Sequence, residues 1–381
     1  MAKLAFILGA GASAEGGCPV MSNFLATARR IASEMPDSDY ARHYRTVHQV
    51  QQQLQRANVK AKLDFENIES ILTAIEMGQT VGALGDFDDG QLQIQRTALL
   101  ELIARTVDAT QRMRIQRPSG GKLPLVATGP TDYQALAAVL FSLLRSRYDH
   151  SVDIITFNYD IGLEIALASQ WIKYTYCLPG VEDFERLDGA GAPEKLVRLC
   201  KLHGSLNWIR ADPQASVPRI RCFDPYWELE RQLKGSSPSS ATLDSSLGRA
   251  SLVESSASAA ALPFIVPPGE AKASYRAVMQ EVWKAAHGVL READHVYICG
   301  YSLPETDVFF RQFFALSMIS DVILRQVVIN CFDDGEALRR LESMFGSMVV
   351  SDPGVFKREN VRFHEWVNSW GKKLNSAGYF M

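Results

Sequence analysis

The chain lacks paired cysteines: its six (Cys18, Cys177, Cys200, Cys222, Cys299 and Cys331) stand singly along 381 residues. Neither the density of a disulfide scaffold nor the CxxC spacing of a zinc knuckle is present, which fits a reducing cytoplasm. No apolar stretch is long enough to cross a bilayer. The opening MAKLAFILGAGAS runs from a short apolar segment straight into a glycine turn, without the cleavage region of a signal peptide. Positive charge is not in excess either, since 40 Lys and Arg against 43 Asp and Glu give a formal net charge of -3. No general field draws polyanions, so direct nucleic-acid binding is not implied.

What is present suits a folded chain with a sizeable core, with 47% hydrophobic residues over a length that holds one large or two ordinary domains. LAFIL at 4–8 has the unbroken apolar character of a buried parallel strand, and a helical pattern through Phe24, Leu25, Ala28 and Ile31 follows its glycine turn. Residues 37–122 change texture to long, polar-rich helical patterns and are expected to form a helical insertion. Strand and helix then alternate: the helix DYQALAAVLFSLLRSRY, the strand VDIITFN, the helix IGLEIALAS and the strand LVRLCKLHG. PFIVPP is expected to resume the sheet, followed by a helix to about Glu292, the strands HVYICG and QVVINCF, and a last strand and helix within NVRFHEWVNSWGKKL. The alternation predicts a Rossmann-like α/β fold, a doubly wound parallel sheet formed by residues 1–36 and 123–381. Residues 234–262, rich in Ser and Ala, are expected to be a flexible loop within it.

Four segments carry candidate chemistry. In ILGAGAS, Gly9 and Gly11 permit a backbone too close to phosphate for any β-carbon, and the next helix offers free N–H groups. The GxGxxA pattern ends on Ala14, but no acidic residue closes a second strand about 20 positions on, because Glu34 closes a helix; an ordinary dehydrogenase half-fold is disfavoured. In TFNYD, the strand delivers Asn158 and Asp160 to its carboxyl end, where they would hold a water, a ribose hydroxyl or a carboxamide, or else end the strand and cap the next helix. In KLHGS, His203 is able to take a proton from a hydroxyl, or serves as a structural hydrogen-bonding residue, and Gly204 admits a ligand to the backbone. ICGYSLPETD places Gly300, Tyr301 and Ser302 between a strand and a helix, as a second phosphate or ribose contact or as ordinary capping.

Together these segments resemble the sirtuin signature: Gly9 to Ser13, Phe157 to Asp160, His203 with Gly204, Gly300 to Leu303, and Ile329 with Asn330, in that order. FNYD, HGSLNW and GYSLPETD, with the helix FENIESIL, are most similar to the sirtuin-like NAD-consuming domains of bacterial antiphage defence systems. The resemblance implies a hydrolase that cleaves NAD to nicotinamide and ADP-ribose, with Asn158 and His203 catalytic. It implies that Gly9, Ala10, Gly11, Ala12, Ser13 and Ser302 hold the pyrophosphate, that Gly300 and Tyr301 also contact the cofactor, and that Asp160 meets the carboxamide and Asn330 the adenosine ribose. No metal is required. It further implies a homo-oligomer, gated by its own assembly, by a ring-forming ATPase of the HerA type or by another sensor. Two departures bear on the reaction: the CxxC pairs of a structural zinc are missing, and GGCPVMSNF keeps Gly17 and Pro19 of a GIPDFR-like loop without its Asp-Phe-Arg part. Both argue against peptide deacylation, and the retention of Asn158 and His203 argues against nucleotide sensing without cleavage, which leaves these two as the alternatives.

Overall fold

Apolar residues fill Lys3–Leu8 because both of its faces are covered and a parallel strand pairs it on each side. The computed structural model describes residues 2–57, 60, 64–112, 114–116, 126–128, 131–146, 148–179, 194–210, 220–222, 263–266, 276–304, 307–332 and 335–376. In chain order its strands are β1 (Lys3–Leu8), β2 (Ala83–Leu84), β3 (Phe87–Asp88), β4 (Arg114–Gln116), β5 (Val126–Thr128), β6 (Ser151–Thr156) and β7 (Tyr174–Thr175). They continue as β8 (Val197–Lys201), β9 (Gly204–Arg210), β10 (Ile220–Cys222), β11 (Pro263–Ile265), β12 (His295–Cys299), β13 (Gln326–Asn330) and β14 (Phe356–Glu359).

Seven strands form one sheet in the order β14-β13-β12-β1-β6-β8-β7, and every described pairing in it is parallel. Phe6 lies opposite Tyr297 on one side and Ile154 on the other. The chain winds outward from β1 in both directions, so β1 with its neighbours β6 and β12 marks the switch point beyond whose carboxyl ends a ligand crevice opens. The fold is Rossmann-like doubly wound α/β. Against one face pack the helices Thr131–Arg145 and Phe363–Ser376, with Trp370 on Phe6 and Trp366 on Tyr297. Against the other packs Arg276–Glu292, whose Trp283 meets Phe313 edge-on.

Between β1 and β6 stand helices α1 (Gly11–Ala14), α2 (Phe24–Glu34), α3 (Asp39–Ala57), α4 (Ile68–Val81) and α5 (Asp89–Thr110). Their ends are written in the sequence. Asn67 caps α4 by accepting from the Glu69 and Ser70 amides, Gly82 ends it in the left-handed region (φ 84°), and Asp88 and Gln91 form a capping box for α5. Val47, Val50, Ile71, Leu72, Leu99 and Leu102 build a second core, which continues into Ile161, Ile165, Leu206 and Ile265 of the α/β part.

Several expectations give way. The expected helix through Phe24, Leu25, Ala28 and Ile31 forms as α2, but it does not follow the first turn directly, since the four-residue α1 and Gly17 (φ 98°) stand between. Glu34 does close α2. PFIVPP does not extend the large sheet, since β11 runs antiparallel to β9, Phe264 opposite Ser205, in a separate three-stranded sheet with β10. β9 itself reads in sequence as the tail of β8, but Gly204 at φ 78° lets the chain turn and pair again. The last strand is β14, upstream of NVRF; only Phe356 of its four residues is buried, so its apolar signal is faint. Residues 234–262 lie outside the described residues.

Leu102 is fully buried in the helical core whereas Ile94, on the same helix, is exposed. Leu102→Ala is expected to lower unfolding free energy by about 2–5 kcal/mol and Ile94→Ser to change it by less than about 0.5 kcal/mol, read from urea titrations.

Candidate functional site

Two backbone turns meet at the centre of the sheet's carboxyl edge. The Gly9 amide donates to Cys299 O at 3.0 Å and the Gly11 amide to Gly300 O at 2.8 Å. A β-carbon on Gly9 would lie 2.5 Å from Tyr301 Cα, on Gly11 2.8 Å from Gly300 Cα, and on Gly300 (φ 63°) 2.2 Å from the Ala12 nitrogen. The glycines are therefore required by the fit of one turn against the other, not by a ligand alone. The same holds at Gly204, whose β-carbon would sit 2.1 Å from Phe264 O. The amides of Ala12 and Ser13 also donate within the turn, to Gly9 O and Ala10 O. The expected phosphate cradle is thus narrower than the motif suggests, because four of its N–H groups already have acceptors.

A cleft of about 520 Å³ lies over these turns, within the size range of small-molecule sites. It brings together Ala10, Gly11, Ser13, Asn158, Asp160, His203, Gly300, Tyr301, Ser302 and Asn330, while Gly9 and Ala12 stand behind its wall. The opposite wall is apolar and comes from the helical layer: Ile68 and Leu72 of α4, Ile103 and Val107 of α5. Glu15, Glu69, Asp160 and Asp307 face the cleft, and among the described lining residues only His203 and Arg362 carry basic groups. The cleft is acidic, a setting that favours a cationic ring or a developing positive charge.

Its floor is a closed hydrogen-bond chain. Asp160 Oδ2 accepts from Ser13 Oγ at 2.6 Å, and Oδ1 accepts from the Gly162 amide at 3.0 Å and from Gln111 Nε2 at 3.3 Å. Ser13 spends its proton on the carboxylate, so Tyr133 donates to Ser13 at 2.6 Å; burial, with Asp160 nearby, pushes the Tyr133 phenol far up and keeps that proton in place. Asn158 Nδ2 contacts Gly9 O and Ser13 Oγ at 2.8 Å and Tyr133 Oη at 3.0 Å. What Asn158 offers a ligand is accordingly its carbonyl oxygen, an acceptor. Asp160 also accepts from the first amide of the next helix, Gly162–Ser169, although Ile161 and not Asp160 is the N-cap residue of that helix.

The other expected residues are placed as follows. His203 is buried, its ring edge-on to Phe157 at 5.2 Å. Tyr301 presents backbone rather than hydroxyl: its ring stacks on Phe157 at 4.2 Å and its Oη donates to Asp307 at 2.6 Å. Ser302 is exposed on the rim, and it is Asp307 that caps the helix Val308–Ser317. Asn330 uses Nδ2 to hold Glu359 O and Val361 O, and its backbone carbonyl accepts from Gly300.

Beneath the site lies an ion pair with no part in the sequence reading. Lys201 Nζ donates to Glu164 Oε1 and to Asp160 O, both at 2.6 Å, and the two side chains are 1% exposed. Tyr176 donates to Glu164, Asn207 to Tyr176, and Ser205 to Asn207. Burial pushes the Glu164 carboxyl above its ordinary range while the Lys201 ammonium pulls it back. Sequence did carry a signal here: one carboxylate in the apolar helix IGLEIALAS and one lysine in the apolar strand LVRLCKL. Tyr133 and Gln111 left none, since each sits where a helical pattern already accounts for it.

At the rim Glu15 accepts from His364 Nδ1 and lies 3.9 Å from Arg362. Burial, together with Glu15, raises the Asp132 carboxyl to about 6.

No family model matches the chain, and no curated protein matches it. Among solved structures it is similar to Sir2Tm bound to a propionylated peptide, at 13% identity over 99% of this chain and 93% of that one, with a TM-score of 0.36. It is likewise similar to a Sir2 complex with a p53 peptide and NAD+, at 12% identity over 98% and 93% of the two chains, with a TM-score of 0.39. Both likenesses are loose.

Two outcomes follow from the buried groups. Lys201→Met leaves Glu164 without its cation and is expected to cost about 3–5 kcal/mol in urea unfolding, with part recovered when Glu164 is also replaced by leucine. A carboxyl raised from 3.8 to about 6 favours the fold while neutral, and that contribution is lost as pH rises through about 6. Asp132→Asn should therefore gain stability over wild type between about pH 4 and 7, by on the order of 1 kcal/mol after allowance for solvent at the cleft.

Proposed function

We propose that this chain is an NAD glycohydrolase that releases nicotinamide and ADP-ribose and acts as an effector of antiphage defence by depleting NAD. The observation that carries the chemical part is the convergence of Asn158, Asp160, His203, both glycine turns and Asn330 on one acidic cleft of suitable size. Oxidised nicotinamide is a pyridinium, and cleavage of its ribosyl bond passes through an oxocarbenium-like state; carboxylates around the cleft favour both cations. The C1′–N bond breaks with its electron pair moving to the ring nitrogen, and water adds to C1′ with loss of a proton.

In this reading His203 is the base toward a ribose hydroxyl, Asn158 orients the ribose and the water through its free carbonyl oxygen, and Asp160 meets the carboxamide. The pyrophosphate lies along Ala10, Gly11, Gly300 and Ser302, near Arg362, and Asn330 marks the adenosine end. The defence role rests on the resemblance of FNYD, HGSLNW and GYSLPETD, and with it go a homo-oligomer and gating by a partner such as a HerA-type ATPase. The apolar wall from α4 and α5 favours a second reading, in which an acyl chain enters and the chain is an NAD-dependent deacylase.

Purified protein incubated with NAD should release nicotinamide and ADP-ribose in equal amounts without any peptide, at a basal rate that assembly or the gating partner raises, and Asn158→Ala and His203→Ala should each lower the rate at least about 100-fold, with Asn158→Ala also losing about 1–3 kcal/mol of stability because its buried partners are left unpaired. Nicotinamide release that depends on an acylated peptide would replace hydrolysis by deacylation. In cells challenged with phage, NAD loss confined to the wild type is the expected result.

A further inference from the structure

We infer that Gln111 is a positioning residue through which the helical layer sets the geometry of the site. The inference rests on the hydrolase reading for its consequence in turnover, but its structural part stands alone. α5 ends at Thr110, and the next residue turns its side chain into the α/β part, where Gln111 is 2% exposed. Its Nε2 reaches Asp160 Oδ1 at 3.3 Å, and its Oε1 is buried without a hydrogen-bond partner among the described residues.

A buried amide that leaves its oxygen unsatisfied is costly, so the geometry is held by something else. That something is the backbone on either side. The Arg112 amide donates to Gly16 O at 2.7 Å, and Gly17 passes so close that a β-carbon there would lie 2.2 Å from Thr110 O. The end of α5 is therefore tied at once to the loop after the first glycine turn and to the carboxylate that organises the floor of the cleft. Any displacement of α5 moves loop and carboxylate together. α5 also carries Ile103 and Val107 into the cleft wall, so one helix shapes the cavity and sets the orientation of Asp160.

The other groups near this carboxylate are Ser13, the Gly162 amide, Tyr133, Cys18 and the Lys201–Glu164 pair. Asp108, buried near the end of α5, acts on the same Cys18, while Gln111, directly after that helix, bonds Asp160 itself.

The test uses the full chain with Gln111→Leu and Gln111→Glu. Gln111→Leu is expected to lower kcat for NAD cleavage by roughly tenfold, the loss of one hydrogen bond to a charged group. With Gln111→Glu, two carboxyl groups face each other, and only when one is protonated is the donor to Asp160 restored. Its rate relative to wild type should therefore climb as pH falls from about 8 to 5, a trend that a merely structural role would not produce. Hydrogen exchange gives a readout independent of NAD: in Gln111→Leu, amides of residues 9–17 and 158–162 should exchange faster while those of β12 keep their wild-type protection. Wild-type exchange throughout the variant, or a pH-independent ratio for Gln111→Glu, would overturn the inference. Faster exchange at those residues in a protein that neither binds nor cleaves NAD would keep the structural link and overturn the hydrolase reading instead.

Discussion

The contact on which the site depends is the fit of two backbone turns, Gly9 to Ala12 against Gly300 and Tyr301. It leaves no room for a side chain at Gly9, Gly11 or Gly300, and it locks the carboxyl ends of β1 and β12 at one separation. Everything above is referenced to that pair. Ser13 is placed by the first turn and is the partner of Asp160, Asn158 and Tyr133; Tyr301 is placed by the second and is the platform for Phe157. Leu303, buried in the left-handed region at φ 47° directly before Pro304, shows that the second turn is held in a conformation its own residues disfavour.

The polar floor adds a different constraint. Apolar packing tolerates small slips, but the Lys201–Glu164 pair with Tyr176, Asn207 and Ser205 does not, because each displaced member would leave a charge or a donor unsatisfied in a dry interior. The chain of bonds runs from Asp160 O to the start of β9, so it spans the ends of β6 and β8, which carry Asn158 and His203. A buried ion pair adds little net stability, but loss of either member of this one would leave the other charged and unpaired in the interior.

Much of this was legible in the sequence, and the failures are instructive. Strands buried on both faces announce themselves as largely apolar runs, which is why β1, β6, β8, β12 and β13 are readable even though Asp153 of β6 and Arg198 of β8 interrupt two of them and pair with each other. β14 is an edge strand with one inward residue, and β9 is hidden because the turn at Leu202 and His203 leaves no polar gap between two strands. The motif residues are legible as types, while their commitments are not: a GxGxxA pattern cannot say whether the missing β-carbons make space for phosphate or for another turn. Gln111 and Tyr133 leave no pattern of their own, because each reaches the Asp160 and Ser13 bonds from a helical segment whose periodicity already accounts for it.

The core of the helical layer does not stop at its own helices. Val47, Leu72 and Leu102 belong to the same apolar cluster as Ile161, Ile165, Leu206 and Ile265 of the α/β part. The layer is therefore not a detachable accessory in evolutionary terms. A lineage could lengthen or redecorate its outer face freely, yet losing it would strip the apolar cover from Ile161, Ile165, Leu206 and Ile265, so such a protein and a shorter relative without the layer would have to differ in their interiors as well as in their loops.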